Sequence, residues 1–576
     1  MKNVVFVVSD ALCSYMIDKK IADKYVCPFV HDLTEEYTSF TNMYSEAPFT
    51  MGALISLLTG RDTFRDDTYE GIMSNTCGTA LDEFVNNGYD IYASFYQDFL
   101  FPGKLMKMMK YRWLASPEEV IPRTWPYMDY YVEKLREGSI DRRDKDYKRL
   151  EIFIERVLNA LEVFVRNDWG GKTIWYGPKR HYPWEEFEND YYKDRELFYS
   201  DRAKYIDRLV KGNGIGVFGE KYTGYVEGFL GQEILSDIKK MYKDNRRRFL
   251  FIKSKQFIYN MLSSDKSDIN GKQFKRRVKD YCLSYGSFVK NHRSNWRGDV
   301  SARKKLDSLF GALCERGSNK PFFAYLHLLD THLPFNFFSV EYPDLYESEF
   351  GRCFDLVKKM KPGEWKGNFS YLMSANYIDK CLEDFVKKME SKGLMENTVL
   401  VFVADHGYQY GDSPIRNIGQ GGAYNWESFR VPCVVADFEH KIQRKIRRVC
   451  STKDVFPTIF DIVGIDPENE YDGNNVLNND SDESYANIEY IPFGQPDIYR
   501  KQIIYGLRNS KRSVVCKVGL DNNIECANIE AIYDLENDPD ELINMMNEMS
   551  EDKIVREMIA EIKKRHLEIR NHFESL

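Results

Sequence analysis

Asn397-Thr-Val-Leu-Val-Phe-Val-Ala-Asp405-His406-Gly407 is the stretch on which the fold turns. Its run Val399-Leu-Val-Phe-Val403 is continuous and β-prone, as in a strand buried on both faces of a parallel sheet, and it leads into a carboxylate. The same pattern opens the chain, where Val4-Val-Phe-Val-Val8 runs into Ser9-Asp10. Ligands of open α/β sheets collect at the carboxyl ends of the strands, so two strands that each end on Asp predict one site drawn from both ends of the sequence. Two carboxylates and the adjacent imidazole make a donor set for a divalent cation such as Mn²⁺ or Zn²⁺.

Between and around these strands, helix and strand signals alternate. Met51, Leu54, Ile55 and Leu58 follow the helical period and end at Gly60; Leu81, Phe84 and Val85 belong to a second helix ending at Gly88, before the strand Tyr89-Asp-Ile-Tyr-Ala93. Strand character returns at Phe322-Phe-Ala-Tyr-Leu326, and Tyr371, Ile378, Leu382, Phe385, Val386 and Met389 mark a long helix closed by Gly393. Val434-Val-Ala436 reads as a further strand and the segment from Val455 to Val463 as a short helix. The fold class is therefore α/β, a central mostly parallel sheet flanked by helices, over residues 1–99 and 316–480. Residues 100–315 read as a large, mainly helical insertion. Residues 481–576, with strands at Ile503, Val514 and Ala531 and a last helix bearing Ile554, Val555, Met558, Ile559 and Ile562, read as a small α+β C-terminal subdomain.

Composition bounds the function. The 576 residues are 43% hydrophobic, 15% aromatic and 30% charged, a globular composition with length for about two to four structural units. With 81 Lys and Arg against 89 Asp and Glu, the net charge is −8, so no overall basic field draws nucleic acid. The apolar runs are strand-length, short of the roughly 20 residues of a membrane-spanning helix, and Met1-Lys-Asn3 leads straight into the first strand, so the expected location is cytoplasmic. Eleven cysteines with no CxxC spacing suggest thiols, not a disulfide framework or zinc ribbon. The basic stretches Arg246-Arg-Arg248 and Lys275-Arg-Arg277 read either as solvated helix faces or as contacts for an anionic or glycan substrate.

Thr50 stands at the expected N-cap of the Met51 helix, where backbone N–H groups and the helix dipole favour an anion. A hydroxyl beside a metal becomes a nucleophile near neutral pH.

These segments resemble the sulfatase-like branch of the alkaline phosphatase superfamily. The opening through Asp10 resembles the family's first metal strand, and Phe40-Thr-Asn-Met-Tyr44 followed by Ala47-Pro-Phe-Thr50-Met-Gly-Ala-Leu-Ile-Ser-Leu-Leu-Thr59-Gly60-Arg61 its nucleophile segment. Pro321-Phe-Phe-Ala-Tyr-Leu-His327-Leu-Leu-Asp330-Thr-His332-Leu-Pro334 resembles the substrate-side strand and turn; Asp405-His406-Gly407 and Glu427-Ser-Phe-Arg430-Val-Pro432 the second metal segment and the strand after it. Tyr533-Asp-Leu-Glu-Asn-Asp-Pro539-Asp-Glu541 is similar to the C-terminal signature.

The resemblance implies an alkaline-phosphatase-like fold, with Asp10, Asp405 and His406 as metal ligands and Thr50 as fourth ligand and nucleophile. His332 would contact the leaving group or the substrate's anionic oxygens. His327 is a further candidate for that role, or a satisfied buried group. Sulfatases carry Cys or Ser at Thr50, followed by the Pro and Arg that direct formylglycine formation; here those positions are Gly52 and Leu54. A Thr ester must be displaced by water or an alcohol, which suits phosphoryl groups, as in the family's phosphonate monoester hydrolases, phosphodiesterases and phosphoethanolamine or phosphoglycerol transferases. Asp10 is followed by Ala11 and not by a second acid, so one divalent ion is expected, Mn²⁺ or Zn²⁺ before Ca²⁺ or Mg²⁺. Arg416 is the one downstream basic candidate for an anion contact. The expected function is a phosphoester hydrolase or phosphoryl transferase working on a small-molecule or glycan-linked phosphoester, with homo-oligomerisation open. The alternatives are a sulfatase without formylglycine, a two-metal phosphodiesterase in which Asp330, His332 and a later His complete a second site, and a non-catalytic protein that kept the fold.

Overall fold

In the computed structural model, the chain is described over residues 1–65, 78–94, 131–143, 145–166, 184–212, 302–332, 369–410, 426–478, 485–491, 502–519 and 528–575, with a few shorter pieces between them. The strands of the main sheet are β1 (Asn3–Ser9), β2 (Thr38–Tyr44), β3 (Asp90–Ser94), β4 (Tyr111–Arg112), β5 (Phe322–Leu328), β6 (Thr398–Ala404), β7 (Arg430–Asp437) and β8 (Arg444–Ser451). They lie side by side in the order β8, β2, β7, β6, β1, β5, β3, β4. Every pairing is parallel except the two made by β7, which runs against β6 and β2.

β1 is central because it is apolar on both faces: Val4 to Val8 are wholly buried. Its two parallel neighbours come from the second half of the chain, with Val8 opposite His327 on β5 and Val403 on β6. That register brings three strand ends to one edge and places Asp10 and Asp405 there together.

The longer described helices are α1 (Pro28–Glu36), α2 (Thr50–Thr59), α3 (Ala80–Asn86), α4 (Lys145–Arg166), α5 (Trp184–Ser200), α6 (Arg202–Lys211), α7 (Ala302–Glu315), α8 (Phe369–Ser391), α9 (Val455–Val463) and α10 (Lys553–Ser575). Phe6 of β1 stacks on Phe456 of α9 at 4.9 Å between ring centroids, tying that helix to the sheet. α4 to α6 gather a second core of their own around Leu150, Ile154, Leu158, Tyr191, Phe198 and Tyr205. α7, also within the stretch read as an insertion, buries Leu306, Leu309 and Leu313 in the main core. None of the described helices is long and apolar enough to cross a membrane.

The C-terminal unit is an antiparallel sheet, β9 (Ala486–Tyr490), β10 (Gln502–Arg508), β11 (Arg512–Gly519) and β12 (Asn528–Asp534), covered by Val555, Met558, Ile562 and Ile569 of α10. β2, β8 and β9 are strands that apolar runs do not announce. β8 alternates charged and apolar residues, Arg444-Lys-Ile-Arg-Arg-Val, as an edge strand with one wet side does. One local expectation is corrected: Phe49, extended at φ −158° and ψ 150°, is the N-cap of α2, and Thr50 is its first helical residue. The Thr50 hydroxyl meets Asp10 and His406 instead of capping the helix. Seven of the eight described cysteines are buried thiols, and Cys314 is exposed.

Candidate active site

The site forms where β1, β5 and β6 end. The Asp10 N–H donates to the Leu328 carbonyl at 2.8 Å, continuing the β1–β5 ladder by one residue. The chain then turns through Ala11 at φ +60°, a left-handed conformation that costs a residue with a side chain about 1–3 kcal/mol. The turn aims the Ala11 N–H at Asp405 Oδ1 (3.0 Å), which also accepts from the N–H of His406 (2.8 Å). With Oδ1 held by two backbone donors, Asp405 Oδ2 lies 3.7 Å from His406 Nε2 and 3.8 Å from His327 Nε2.

Thr50 completes the group. β2 and the short connection after it deliver α2 with its first turn toward the strand ends. Thr50 Oγ1 is 3.2 Å from Asp10 Oδ2 and 3.3 Å from His406 Nε2. His406 Nδ1 is 2.7 Å from the carbonyl of Gly407, an acceptor only, so Nδ1 carries the proton and Nε2 presents its lone pair to Thr50 and to Asp10 Oδ1 (3.6 Å).

Both acids are wholly buried, and Asp10 Oδ1 and Asp405 Oδ2 have no hydrogen-bond partner among the described residues. Burial pushes both carboxyls upward. At Asp10 the imidazoles of His332, His327 and His406, where protonated, outweigh burial and hold it well below the usual carboxylate range; at Asp405 burial and the Asp10 charge win and push it up. Two orphaned carboxylate oxygens beside an imidazole lone pair are costly as they stand, and a divalent cation satisfies them together. The donor atoms of Asp10, Asp405 and His406 lie within 4.8 Å of one another, so these residues fit such an ion.

His332 is half-buried on the turn after β5. Its N–H donates to the Leu329 carbonyl at 2.9 Å, and its charge is the largest of those drawing Asp10 down. Thr331 anchors the turn: its hydroxyl donates to the Asp10 carbonyl at 2.6 Å and lies 3.0 Å from Ser9 Oγ. Asp330 faces elsewhere, accepting from the Ala302 N–H at the start of α7 (2.9 Å). Arg416, Pro334 and the basic stretches at 246–248 and 275–277 lie outside the described residues. His327 and Thr331 are the site residues that the motifs named weakly or not at all. The signal for His327 was strand parity, since Tyr325 and His327 share one face of β5.

Gly407 holds the second acid segment against the next strand. Its N–H donates to the Ser428 carbonyl at 3.0 Å, and a Cβ there would lie 1.9 Å from the Glu427 carbonyl oxygen. Gly407→Ala is expected to cost about 1–3 kcal/mol in urea unfolding, because backbone and not a flexible side chain must move. Unchanged stability would show that the 426–429 segment can withdraw freely.

Glu46 lies four residues before Thr50 in a buried ionic network between this body and the C-terminal unit. It accepts from Ser451 Oγ (3.1 Å) and Thr63 Oγ1 (3.2 Å) and lies 3.6 Å from Lys453 Nζ. Lys453 also pairs with Asp62, while Arg565 of α10 grips Glu489 of β9 through two nitrogens, at 2.6 and 3.1 Å.

Comparison with known proteins agrees with this architecture. The family model described as Sulfatase matches residues 224–465, and that described as N-sulphoglucosamine sulphohydrolase, C-terminal, matches residues 423–568. A multifunctional alkaline phosphatase superfamily protein, PehA of Trinickia caryophylli, is 27% identical over 189 residues, 31% of this chain and 36% of that protein. The lipoteichoic acid synthase-like YvgJ of Bacillus subtilis is 25% identical over 173 residues, 28% of this chain and 25% of that protein. The chain thus spans between a quarter and about a third of these curated relatives. A solved Bacteroides thetaiotaomicron structure, from work on the metabolism of multiple glycosaminoglycans, superposes with a TM-score of 0.50 at 14% identity, covering 99% of this chain and 96% of the other. That likeness is one of fold.

Proposed function

Because the chain belongs to the sulfatase family, within the alkaline phosphatase superfamily, we propose that it is a metal-dependent phosphoester hydrolase or phosphoryl transferase whose nucleophile is Thr50. The observation that carries the reading is the Thr50 hydroxyl, on the first turn of a helix, between Asp10 Oδ2 at 3.2 Å and His406 Nε2 at 3.3 Å. Asp10, Asp405, His406 and Thr50 would hold one divalent ion, with Mn²⁺ or Zn²⁺ suiting carboxylate, imidazole and hydroxyl donors. Bound there, the ion supplies Lewis-acid charge stabilisation and eases loss of the hydroxyl proton. One ion is proposed because one such group stands at these strand ends among the described residues. The other candidate cluster, Asp437, Glu439 and His440, lies at the opposite end of the sheet around the Lys2 ammonium.

In the proposed reaction the Thr50 hydroxyl, its acidity raised where the ion would bind, passes its proton to solvent water, and Oγ1 forms a bond to phosphorus as the bond to the leaving oxygen breaks. The N–H groups of the first turn of α2 face the phosphoryl oxygens. His332 protonates the departing alkoxide. Water or an acceptor hydroxyl then attacks the phosphothreonine, frees Thr50 and recovers the proton. A phosphoester is preferred over a sulfate ester because Thr cannot become formylglycine, whose hydrate expels sulfate by collapse, and a Thr ester depends on external attack. The substrate class proposed is a phosphoester on a small molecule or glycan.

The test is to present a Mn²⁺-loaded preparation with an aryl phosphodiester, an aryl phosphomonoester and an aryl sulfate in parallel, and to quench the reactions for peptide mass spectrometry. Fastest turnover of a phosphoester with a phosphoryl adduct on the Thr50 peptide is expected. Preferential turnover of the aryl sulfate, with no adduct, rejects the proposal.

A further inference from the structure

The geometry points to His327 as an additional ligand of the cation, bound through Nε2; the inference rests on the cation reading above and extends it to a residue outside the Asp10, Asp405, His406 and Thr50 set. His327 is 1% exposed, one residue before the end of β5, and approaches the carboxylates from the side of β1 opposite β6. Its Nε2 is 3.3 Å from Asp10 Oδ2 and 3.8 Å from Asp405 Oδ2. Those distances match the ones His406 Nε2 makes to the same two acids, 3.6 and 3.7 Å. Two imidazoles from different strands thus face the two oxygens of Asp10, His327 at Oδ2 and His406 at Oδ1, and share Asp405 Oδ2. Such spacings are those of neighbouring donors around one ion at bond lengths of roughly 2.0–2.2 Å.

Each ring also has a partner on its far nitrogen. For His406 it is the Gly407 carbonyl; for His327 it is the Tyr325 hydroxyl, 3.4 Å from Nδ1. A hydroxyl accepting the Nδ1 proton leaves the Nε2 lone pair directed at the acids, the arrangement by which metal-binding histidines are commonly held. Ala11, next after Asp10, brings no side-chain donor, and His327 supplies one from the neighbouring strand. The competing role is a protonated Nε2 that donates to Asp10 and merely orients it.

Affinity alone does not separate these roles, since losing an outer partner already costs roughly 10–100-fold in metal binding. The deciding experiment loads the full chain with Mn²⁺ and counts directly bound ¹⁴N nuclei by pulsed EPR, alongside Mn²⁺ titration. Two bound nitrogens are expected in the parent, falling to one in both His327→Gln and His406→Gln and staying at two in His332→Gln, with a loss of Mn²⁺ affinity in His327→Gln beyond that range. If His327→Gln does not fold, the parent count still decides: one bound nitrogen overturns the inference, as does a folded His327→Gln that keeps two. Mn²⁺ binding indifferent to Asp405→Asn would instead overturn the underlying cation reading, and this inference with it. Asp405-dependent binding with an unchanged nitrogen count in His327→Gln rejects His327 alone.

Discussion

Thr50→Ala is expected to lose at least about 10³-fold in kcat/KM on a phosphoester while the chain stays folded. The Thr50 hydroxyl contacts Asp10 and His406 and caps nothing, since Phe49 holds the N-cap position, so removing it subtracts chemistry and leaves α2 intact. Alanine is moreover the best helix former. Thr50→Ser keeps the oxygen and should retain part of the rate, the loss reflecting freer rotation about χ1. Intact-protein mass spectrometry of quenched turnover should show a phosphoryl adduct in the parent and none in Thr50→Ala. A variant that turns over at the parental rate would remove Thr50 from the mechanism.

Lys453→Met should unfold at markedly lower urea, with about 3–5 kcal/mol lost, because breaking a buried ion pair strands its partner. Lys453 is buried between Asp62 and Glu46. Asp62 is held below its ordinary range: burial raises it, and Lys453 and Arg565 overcome that. Glu46 goes the other way, pushed by burial up to about 8 from an ordinary 4.5. The folded chain therefore binds a proton on Glu46 that the unfolded chain gives up. The contribution of Glu46 is whole below about pH 4.5 and is lost as pH rises through about 8. Glu46→Gln should flatten the alkaline side of the stability profile, and Asp62→Asn combined with Lys453→Met should recover part of the loss. A Lys453→Met chain as stable as the parent would mean that water reaches the network freely.

The strand ends were legible because apolar runs that finish on a carboxylate are unusual, and Val4 to Asp10 and Val399 to Asp405 share that form. β1, β5 and β6 follow the runs that announced them, and α8 and α9 follow their helical periods. β2 was obscure because Thr38-Ser-Phe-Thr-Asn-Met-Tyr44 owes its place to partners on β7 and β8 more than to its own hydrophobicity. The gathering of Asp10, Asp405, His406 and Thr50 could be inferred from strand order and motif; His327 was named only as a candidate substrate contact or a satisfied buried group, and its approach to both acids could not be read. Its place depends on the register that sets Val8 opposite His327, a relation between strands that no local periodicity encodes. The Thr331 clamp and the turn at Ala11 were equally invisible, being fixed by backbone geometry at the strand end.

The central place of β1 has a consequence for synthesis. β1 leaves the ribosome well before both its partners, β5 and β6, which lie far downstream. At about 5–20 residues per second, β1 waits on the order of tens of seconds for Phe322 to appear. Throughout that interval a naked, aggregation-prone segment has to be shielded, so production of this chain should lean on chaperones that capture nascent polypeptides, and a prematurely terminated product could hold Asp10 and Thr50 yet never assemble a working centre.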